Sequence, residues 1–294
     1  SMAKKILLQL DVDQQPCTFD AIVAVDAGAD VLLRHAALTP DSVVPLVHGA
    51  MFTRGGADLA ATAIFLGGSD VIAVEGIAER IASTFFGPMR VSVMADPAGA
   101  NTTAAAALVA GARHLPLNDV ASAREIRAVV LGGTGPVGQR VVRLLAGKGV
   151  HVTVVSRSQG RAAACCAGIK ARQPEAVVTP AASEGIESLL GSAHLIVAAG
   201  GPGVELLSSE QLCLASHCRV CIDLNAVPPA GVAGVKPTDK ARDVNGMIVY
   251  GAIGIGDTKM KIHREGISKL FSSNDRWLDA EELLAIGYQL DANG

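Results

Sequence analysis

Aromatic side chains make up only 3 % of this 294-residue chain, with one Trp and two Tyr. An excess of base is missing as well: 25 Lys and Arg stand against 28 Asp and Glu, a net charge of −3. Nucleic-acid binding asks for a basic track along the phosphates and aromatic faces for the bases, so both shortages argue against that partner. Long apolar runs are absent too. Half of the residues are apolar and the mean hydropathy is +0.38, yet no stretch reaches the roughly 18 apolar residues that a membrane span requires. Lys4, Lys5 and the run Ile6 to Leu8 begin like a secretory leader, but Gln9, Asp11 and Asp13 interrupt it too early, and a cytoplasmic protein is expected. Ser1 ahead of Met2 reads as a remnant of expression. A complete cysteine ligand set is also lacking. Cys213, Cys218 and Cys221 have C-x4-C-x2-C spacing without a fourth cysteine, and Cys165 and Cys166 are neighbours on a helix that cannot share one ligand face. Reduced, mostly buried thiols are expected, with no metal or iron–sulfur cluster.

What the sequence does have is a glycine-rich join at Val129 to Gly138, VVLGGTGPVG, between the apolar run Ile126 to Leu131 and a helix from Val137 to Lys148. A βαβ nucleotide-binding unit needs Gly133 for the tight turn, Gly135 so that backbone approaches a pyrophosphate, and Gly138 for close helix-to-strand packing. Thr134, Pro136 and Val137 complete the loop, and the helix N-terminus offers free N–H groups to the phosphates. The next strand, Val150 to Val155, ends in Ser156-Arg157-Ser158. An NAD site places an acid near this strand end for the ribose 2′-hydroxyl. Here the residue is Ser156, and Arg157 with Arg161 one turn on suits a 2′-phosphate, so NADP is the expected cofactor. Ser156 does not repel NAD, which stays open. Leu195 to Ala198 reads as a further strand entering Ala199, Gly200 and Gly201, while Val220 to Leu224 leads into Asn225 and Met247 to Tyr250 into Gly251, Gly254 and Gly256. These loops are expected to be small and flexible.

The first part of the chain has its own strand–helix alternation. Strands are expected at Ile6 to Leu10, Val31 to Leu33, Ala63 to Leu66 and Val91 to Met94, and helices at Asp20 to Ala29 and Val71 to Phe86. Thr39, Pro40 and Asp41 signal another helix start. The run Asp96 to Thr103, DPAGANTT, opens an alanine-rich helix. Asn101 and Thr102 are read equally as its cap or as groups facing a ligand crevice, because the loop follows a strand end. Asp279 and Glu282 are spaced as a capping box for a last helix. The expected fold is α/β, with two α/β domains and a cleft between them. The first covers 1–118, the second is a Rossmann-type doubly wound parallel sheet over 119–258, and helices of 259–294 pack back on the first.

TRGG at Thr53, FFGPMRVSVM at Phe85, GANTTAAA at Gly99, GTGPVG at Gly133 and GAIGIGDTKMKIHR at Gly251 span both halves. In these stretches the sequence resembles the bacterial NAD(P)-dependent methylene-tetrahydromethanopterin dehydrogenases of methylotrophic one-carbon metabolism. The resemblance implies hydride transfer from the methylene carbon between N5 and N10 of a reduced pterin to NADP, giving the methenyl form, with methylene-tetrahydrofolate open as a second substrate. No proton leaves the reacting carbon, so the absence of a catalytic dyad is no objection. Rate then comes from holding two rings together without water. Small residues near the nicotinamide, Ala198, Ala199 and Ile253, fit that need. Pterin contacts are expected from Asp13, Asp20, Arg54, Asn101 and Thr102. Lys259, in the first turn of a helix where the dipole disfavours a positive charge, is expected to order the pterin. The resemblance also implies a homo-oligomer. Two alternatives stand beside it: another two-domain NADP dehydrogenase of the shikimate or methylene-tetrahydrofolate type, and a dinucleotide-sensing module without catalysis.

Overall fold

Residues 3–294 are described in a computed structural model. The chain runs β1 (Ile6–Asp11), α1 (Thr18–Asp26), β2 (Val31–His35), α2 (Val44–Phe52), β3 (Thr62–Gly67), α3 (Val71–Thr84), β4 (Ser92–Ala95) and α4 (Ala100–Ala112). It continues with α5 (Val120–Ala123), β5 (Arg127–Leu131), α6 (Pro136–Gly147), β6 (His151–Ser156), α7 (Gln159–Arg172), β7 (Val178–Ala182), α8 (Glu187–Leu190) and β8 (Leu195–Ala198). The remainder is α9 (Ser209–Cys213), β9 (Val220–Asp223), β10 (Arg242–Val244), β11 (Met247–Tyr250), α10 (Gly256–Leu270), β12 (Trp277–Leu278) and α11 (Ala280–Ala292). Two compact units result: residues up to Thr102 with Met260–Gly294, and Thr103–Lys259. The division falls inside α4, earlier than the 118 boundary read from Pro116, Asn118 and Asp119, because α4 is continuous helix with no break where one unit gives way to the next.

The first unit holds a parallel sheet in the order β12-β4-β3-β1-β2. Its central strand β3, TAIFLG, is buried along its whole length, as a parallel strand covered on both faces requires. Leu8, Leu10, Ile64, Leu66 and Val93 form one core with Val47, Met51, Val74, Ile77 and Ile81 from α2 and α3. The helix expected at Thr39 begins later, at Val44. Thr39 and Ser42 bond to each other's backbone N–H at 2.8 and 3.1 Å, closing a turn first. At the other end of the unit, Asp279 and Glu282 make the expected capping box, with Glu282 accepting from the Asp279 N–H at 2.9 Å.

In the second unit the sheet order is β10-β11-β9-β8-β5-β6-β7, parallel except for β10 against β11. Reading outward from β5, this is the doubly wound 3-2-1-4-5-6 order with an extra antiparallel edge strand. Val129, Leu131, Ile196, Cys221 and Val249 on one face pack with Ile186, Leu190, Leu207 and Val232. β7 carries Pro180 and lies at the sheet edge, where a missing N–H costs least.

Candidate functional site

Winding reverses in the second sheet between β5 and β8, and open α/β sheets form their ligand crevices beyond the strand ends at such a reversal. A cavity of about 470 Å³ lies there. Thr134, Gly135, Ser156, Arg157, Arg161, Ala199 and Gly200 line it, so the structure brings together seven of the residues expected at a cofactor. Gly132, Ser158 and Gly201, from the same expected loops, line it too, and Ser183, Val204, Glu205 and Leu206 join them without having been foreseen.

The glycine roles differ from the expectation at one position. Gly132, at φ +66°, takes the left-handed turn assigned to Gly133, and a Cβ on it would lie 2.7 Å from Gly200 Cα, where two loops cross backbone to backbone. Gly133 is turned inward, against Val154 and Val130. Gly138 packs as expected, since its Cβ would stand 2.3 Å from the Gly132 carbonyl. Gly135 is another matter. Its backbone is extended (φ −75°, ψ 172°) and a Cβ would meet nothing closer than 3.6 Å, so the fold itself does not demand glycine. Its own N–H donates to Gly132 O at 3.2 Å, and what glycine leaves here is room over the start of α6.

At the β6 end of the cavity Ser156 Oγ accepts from Ser158 N–H at 3.3 Å and from Thr134 Oγ1 at 3.4 Å. Ser158 caps α7, accepting from Arg161 N–H, and the Ser183 N–H donates to the Ser156 carbonyl at 2.9 Å, drawing the end of β7 alongside. Arg157 and Arg161 are exposed beside these hydroxyls, and no acid stands at this strand end. Pro136 and Val137 sit in the first turn of α6 behind the lining. Cys165, below the loop, has its thiol pushed up to about 11 by burial.

Besides Gly133, Pro136, Val137 and Gly138, three further expected cofactor residues are missing from the cavity wall. Ala198 is buried in β8. Asn225 spends its side chain on its own loop, donating to the Pro229 carbonyl at 2.9 Å and accepting from Val227 N–H at 3.0 Å. Ile253 is 60 % exposed on a loop tied down by backbone hydrogen bonds. The Gly251 N–H bonds Asp239 O, and the Ile253 and Gly254 N–H groups both bond Pro237 O, at 2.8 to 3.0 Å; a Cβ on Gly254 would sit 1.7 Å from Asp239 O. Arg242 grips the Asp239 carboxylate with two 2.7 Å bonds and holds it below the usual carboxylate range. From this pinned loop α10 starts, with Lys259 half-buried in its first turns and Thr258 Oγ1 accepting from Arg113 at 3.2 Å.

The first sheet has the 2-1-3-4-5 order, with its reversal between β1 and β3. Asp11, at the end of β1 and buried, accepts from Asp13 N–H at 2.8 Å and Cys17 N–H at 3.1 Å. The Asp13 carboxylate holds Ser69 through its N–H and hydroxyl. Asp20 lies over the end of β3, so that a Cβ on Gly67 would be 3.4 Å from its Oδ2. Its Oδ1 is 3.8 Å from Nε2 of His263, a buried imidazole stacked on Phe65 at 5.5 Å. Sequence reading missed His263, which arrives from α10 far along the chain.

Three expected pterin ligands carry structural bonds, Asn101 and Thr102 in the interior and Arg54 half-buried. Arg54 donates to the carbonyls of Lys4 and Ala61 at 2.8 and 3.0 Å, tying down the strand starts. Asn101 is fully buried and donates to Ala95 O at 2.7 Å and Asp279 Oδ1 at 2.9 Å. Thr102, also fully buried, gives its hydroxyl and N–H to Asp96, at 2.7 and 3.0 Å. A polar atom already bonded in the interior has nothing to offer a ligand. Among the described residues no group of three or more His, Cys, Asp or Glu side chains is arranged to hold a metal, and no helix is long and apolar enough to cross a membrane.

A family model described as methylene-tetrahydromethanopterin dehydrogenase, N-terminal, matches residues 18–98. Two proteins of Methylorubrum extorquens are similar over nearly the entire chain. One, called bifunctional protein MdtA, is 40 % identical, covering 98 % of this chain and 100 % of that one. The other, called NAD(P)-dependent methylenetetrahydromethanopterin dehydrogenase, is 29 % identical, covering 98 % and 96 %. Quinate dehydrogenase from Corynebacterium glutamicum, solved in complex with NAD, is 13 % identical at a TM-score of 0.50, covering 97 % and 98 %, and shares the α/β fold. Similarity at 40 % identity along the full length identifies this chain as a member of the methylene-tetrahydromethanopterin dehydrogenase family.

Proposed function

We propose that the protein oxidises the methylene group of methylene-tetrahydromethanopterin, passing a hydride to NADP and leaving the methenyl form, in one-carbon metabolism of formaldehyde. Methylene-tetrahydrofolate is the second substrate this reading admits and NAD the second nucleotide. The observation that carries it is the basic end of the cavity: Ser156 where an NAD site has an acid, flanked by Arg157 and Arg161. The Gly135 backbone and the start of α6 fit a pyrophosphate, Thr134 and Ser156 a ribose, and Arg157 and Arg161 a 2′-phosphate. When bound, NADP supplies the carbon that accepts the hydride.

The residues of the chain then have positioning to do. The two nitrogens beside the oxidised carbon delocalise its charge and no proton leaves it, so no general base is needed. Ala199 and Gly200 are small enough to let two rings approach. Asp20, at the β1/β3 reversal with part of its carboxylate accessible, is our acceptor for the amino-pyrimidinone edge, with Asp13 shaping the neighbouring loop. Lys259 orders the pterin through position and charge. We assign the pterin to the first unit with the C-terminal helices, and the nucleotide to the second. A cytoplasmic homo-oligomer completes the reading, and the net charge of −3 with the scarcity of aromatics supports the lack of nucleic-acid partners. Steady-state kinetics with both pterins crossed against both nucleotides tests it. Turnover fastest with a methylene-pterin and NADP supports the proposal, and nucleotide binding without turnover of either pterin replaces it with a sensor.

A further inference from the structure

Parallel sheets are covered on both faces, and the cover comes from crossover helices. The crossover from β7 to β8 provides only the four-residue α8. One face of β5, β6 and β7 near the strand starts is therefore incompletely covered, and a cavity of about 320 Å³ opens on it. This is the end of the sheet away from the nucleotide cavity, which lies at the strand C-termini.

The polar lining of this second cavity consists of donors. Arg127 is paired in register with His151, Val129 with Thr153, and Thr153 with Thr179. Register partners on parallel strands share a face about 4.8 Å apart, and positions two residues along lie about 6.6 Å away on the same face. Arg127, His151, Thr153 and Thr179 thus fill one patch a few ångströms across, with Ser192 from the α8–β8 turn at its side. No carboxylate lines it. The Arg127 guanidinium lies 3.3 Å from His151 Nδ1, and since guanidinium only donates, that nitrogen accepts and leaves Nε2 as the donor of the ring. His194 is fixed likewise, with Nδ1 accepting from Arg127 N–H at 3.0 Å. Burial lowers its pKa, and Arg127, His217 and Arg219 around it lower it further, so the charges this corner senses are positive.

We propose that this groove binds the phosphoryl group of a small phosphorylated metabolite, held by Arg127, His151, Thr153 and Thr179 over the apolar floor of Val129 and Leu189. A dianion satisfies several donors at once and gives the Arg127 guanidinium a counter-charge. The space suits a small molecule, and with no aromatic ring besides the His151 imidazole there is no platform for a nucleobase.

Imidazole NMR of the full-length protein tests this independently of turnover. Inorganic phosphate and glycerol phosphate are titrated at constant ionic strength against chloride. The His151 and His194 resonances shift saturably if the site exists, with affinity reduced at least 10-fold in Arg127→Ala and several-fold in the near-isosteric Thr153→Val. Arg157→Ala, in the nucleotide cavity, leaves the titration unchanged. Tighter binding of the ester names a metabolite as the source, and equal binding names free phosphate. Shifts that are linear, matched by chloride, or the same in Arg127→Ala overturn the proposal.

Discussion

Gly135→Ala separates what the fold needs from what a nucleotide needs. The added methyl finds Gly132 O at 3.6 Å and Ala199 O at 3.7 Å, ordinary contacts, on a backbone conformation that alanine adopts freely. Alanine is a poorer helix cap than glycine but restricts the unfolded chain more, so the two effects oppose and stability should change by less than about 1 kcal/mol. The nucleotide fares differently. A methyl over the α6 N-terminus keeps a pyrophosphate from closing on the backbone N–H groups, and losing one charge-assisted hydrogen bond costs about 1.5–3 kcal/mol, or roughly 10- to 150-fold in affinity. Gly138→Ala is the contrast, because its methyl would stand 2.3 Å from a backbone carbonyl and must disrupt the loop. Thermal unfolding without nucleotide and calorimetric titration with NADP measure both properties. We expect Gly135→Ala to melt within a few degrees of wild type while binding NADP at least 10-fold more weakly, and Gly138→Ala to lose stability as well. Wild-type NADP affinity in Gly135→Ala would refute the placement of the pyrophosphate.

Arg157→Ala should weaken NADP use about 10-fold or more with little change for NAD, and equal losses in kinetics with the two nucleotides would remove its 2′-phosphate role. Lys259→Ala should lower kcat/KM for the pterin at least about 10-fold, near 1.4 kcal/mol of transition-state stabilisation, with NADP affinity kept. Normal pterin turnover in that variant would place the lysine elsewhere. Asn101→Ala should cost about 1–3 kcal/mol of stability for each buried bond lost while the pterin KM stays at its wild-type value, and a raised KM without loss of stability would return Asn101 to the site. Asp239 has its pKa held below its ordinary 3.8 by Arg242, so the stabilisation from this pair is complete above 3.8 and fades as pH falls through the lower folded value. Melting of Arg242→Ala against wild type should therefore show a gap at neutral pH that closes in strong acid, and a gap independent of pH would contradict the pairing.

The strands were legible because a parallel strand buried on both faces is an uninterrupted apolar word, as in Leu195–Ala198 and Met247–Tyr250, which the structure reproduces residue for residue. Capping is local chemistry, and Asp279 with Glu282 read correctly from spacing alone. Errors came where a distant partner decides. Two consecutive glycines offer equal freedom, and it is the approach of Gly200 that gives the left-handed turn to Gly132. Asn101 has the look of a loop ligand until Asp279, 178 residues away, claims its amide. Strand β12 has two residues, too few for any periodicity, and exists through its pairing with β4. His263 carries no local signal, being one turn further along the helix from the more conspicuous Lys259.

The pairing of Trp277–Leu278 with β4 also sets an order of events during synthesis. The second unit is continuous in sequence, whereas the first unit lacks a sheet edge and the Asp279 acceptor of Asn101 until its last residues are made. At about 5–20 residues per second a ribosome spends on the order of 10–30 s on the intervening unit. The nascent first unit waits that long with β4 as an open strand edge, a template for pairing with other chains. The second unit can be complete before the first one closes.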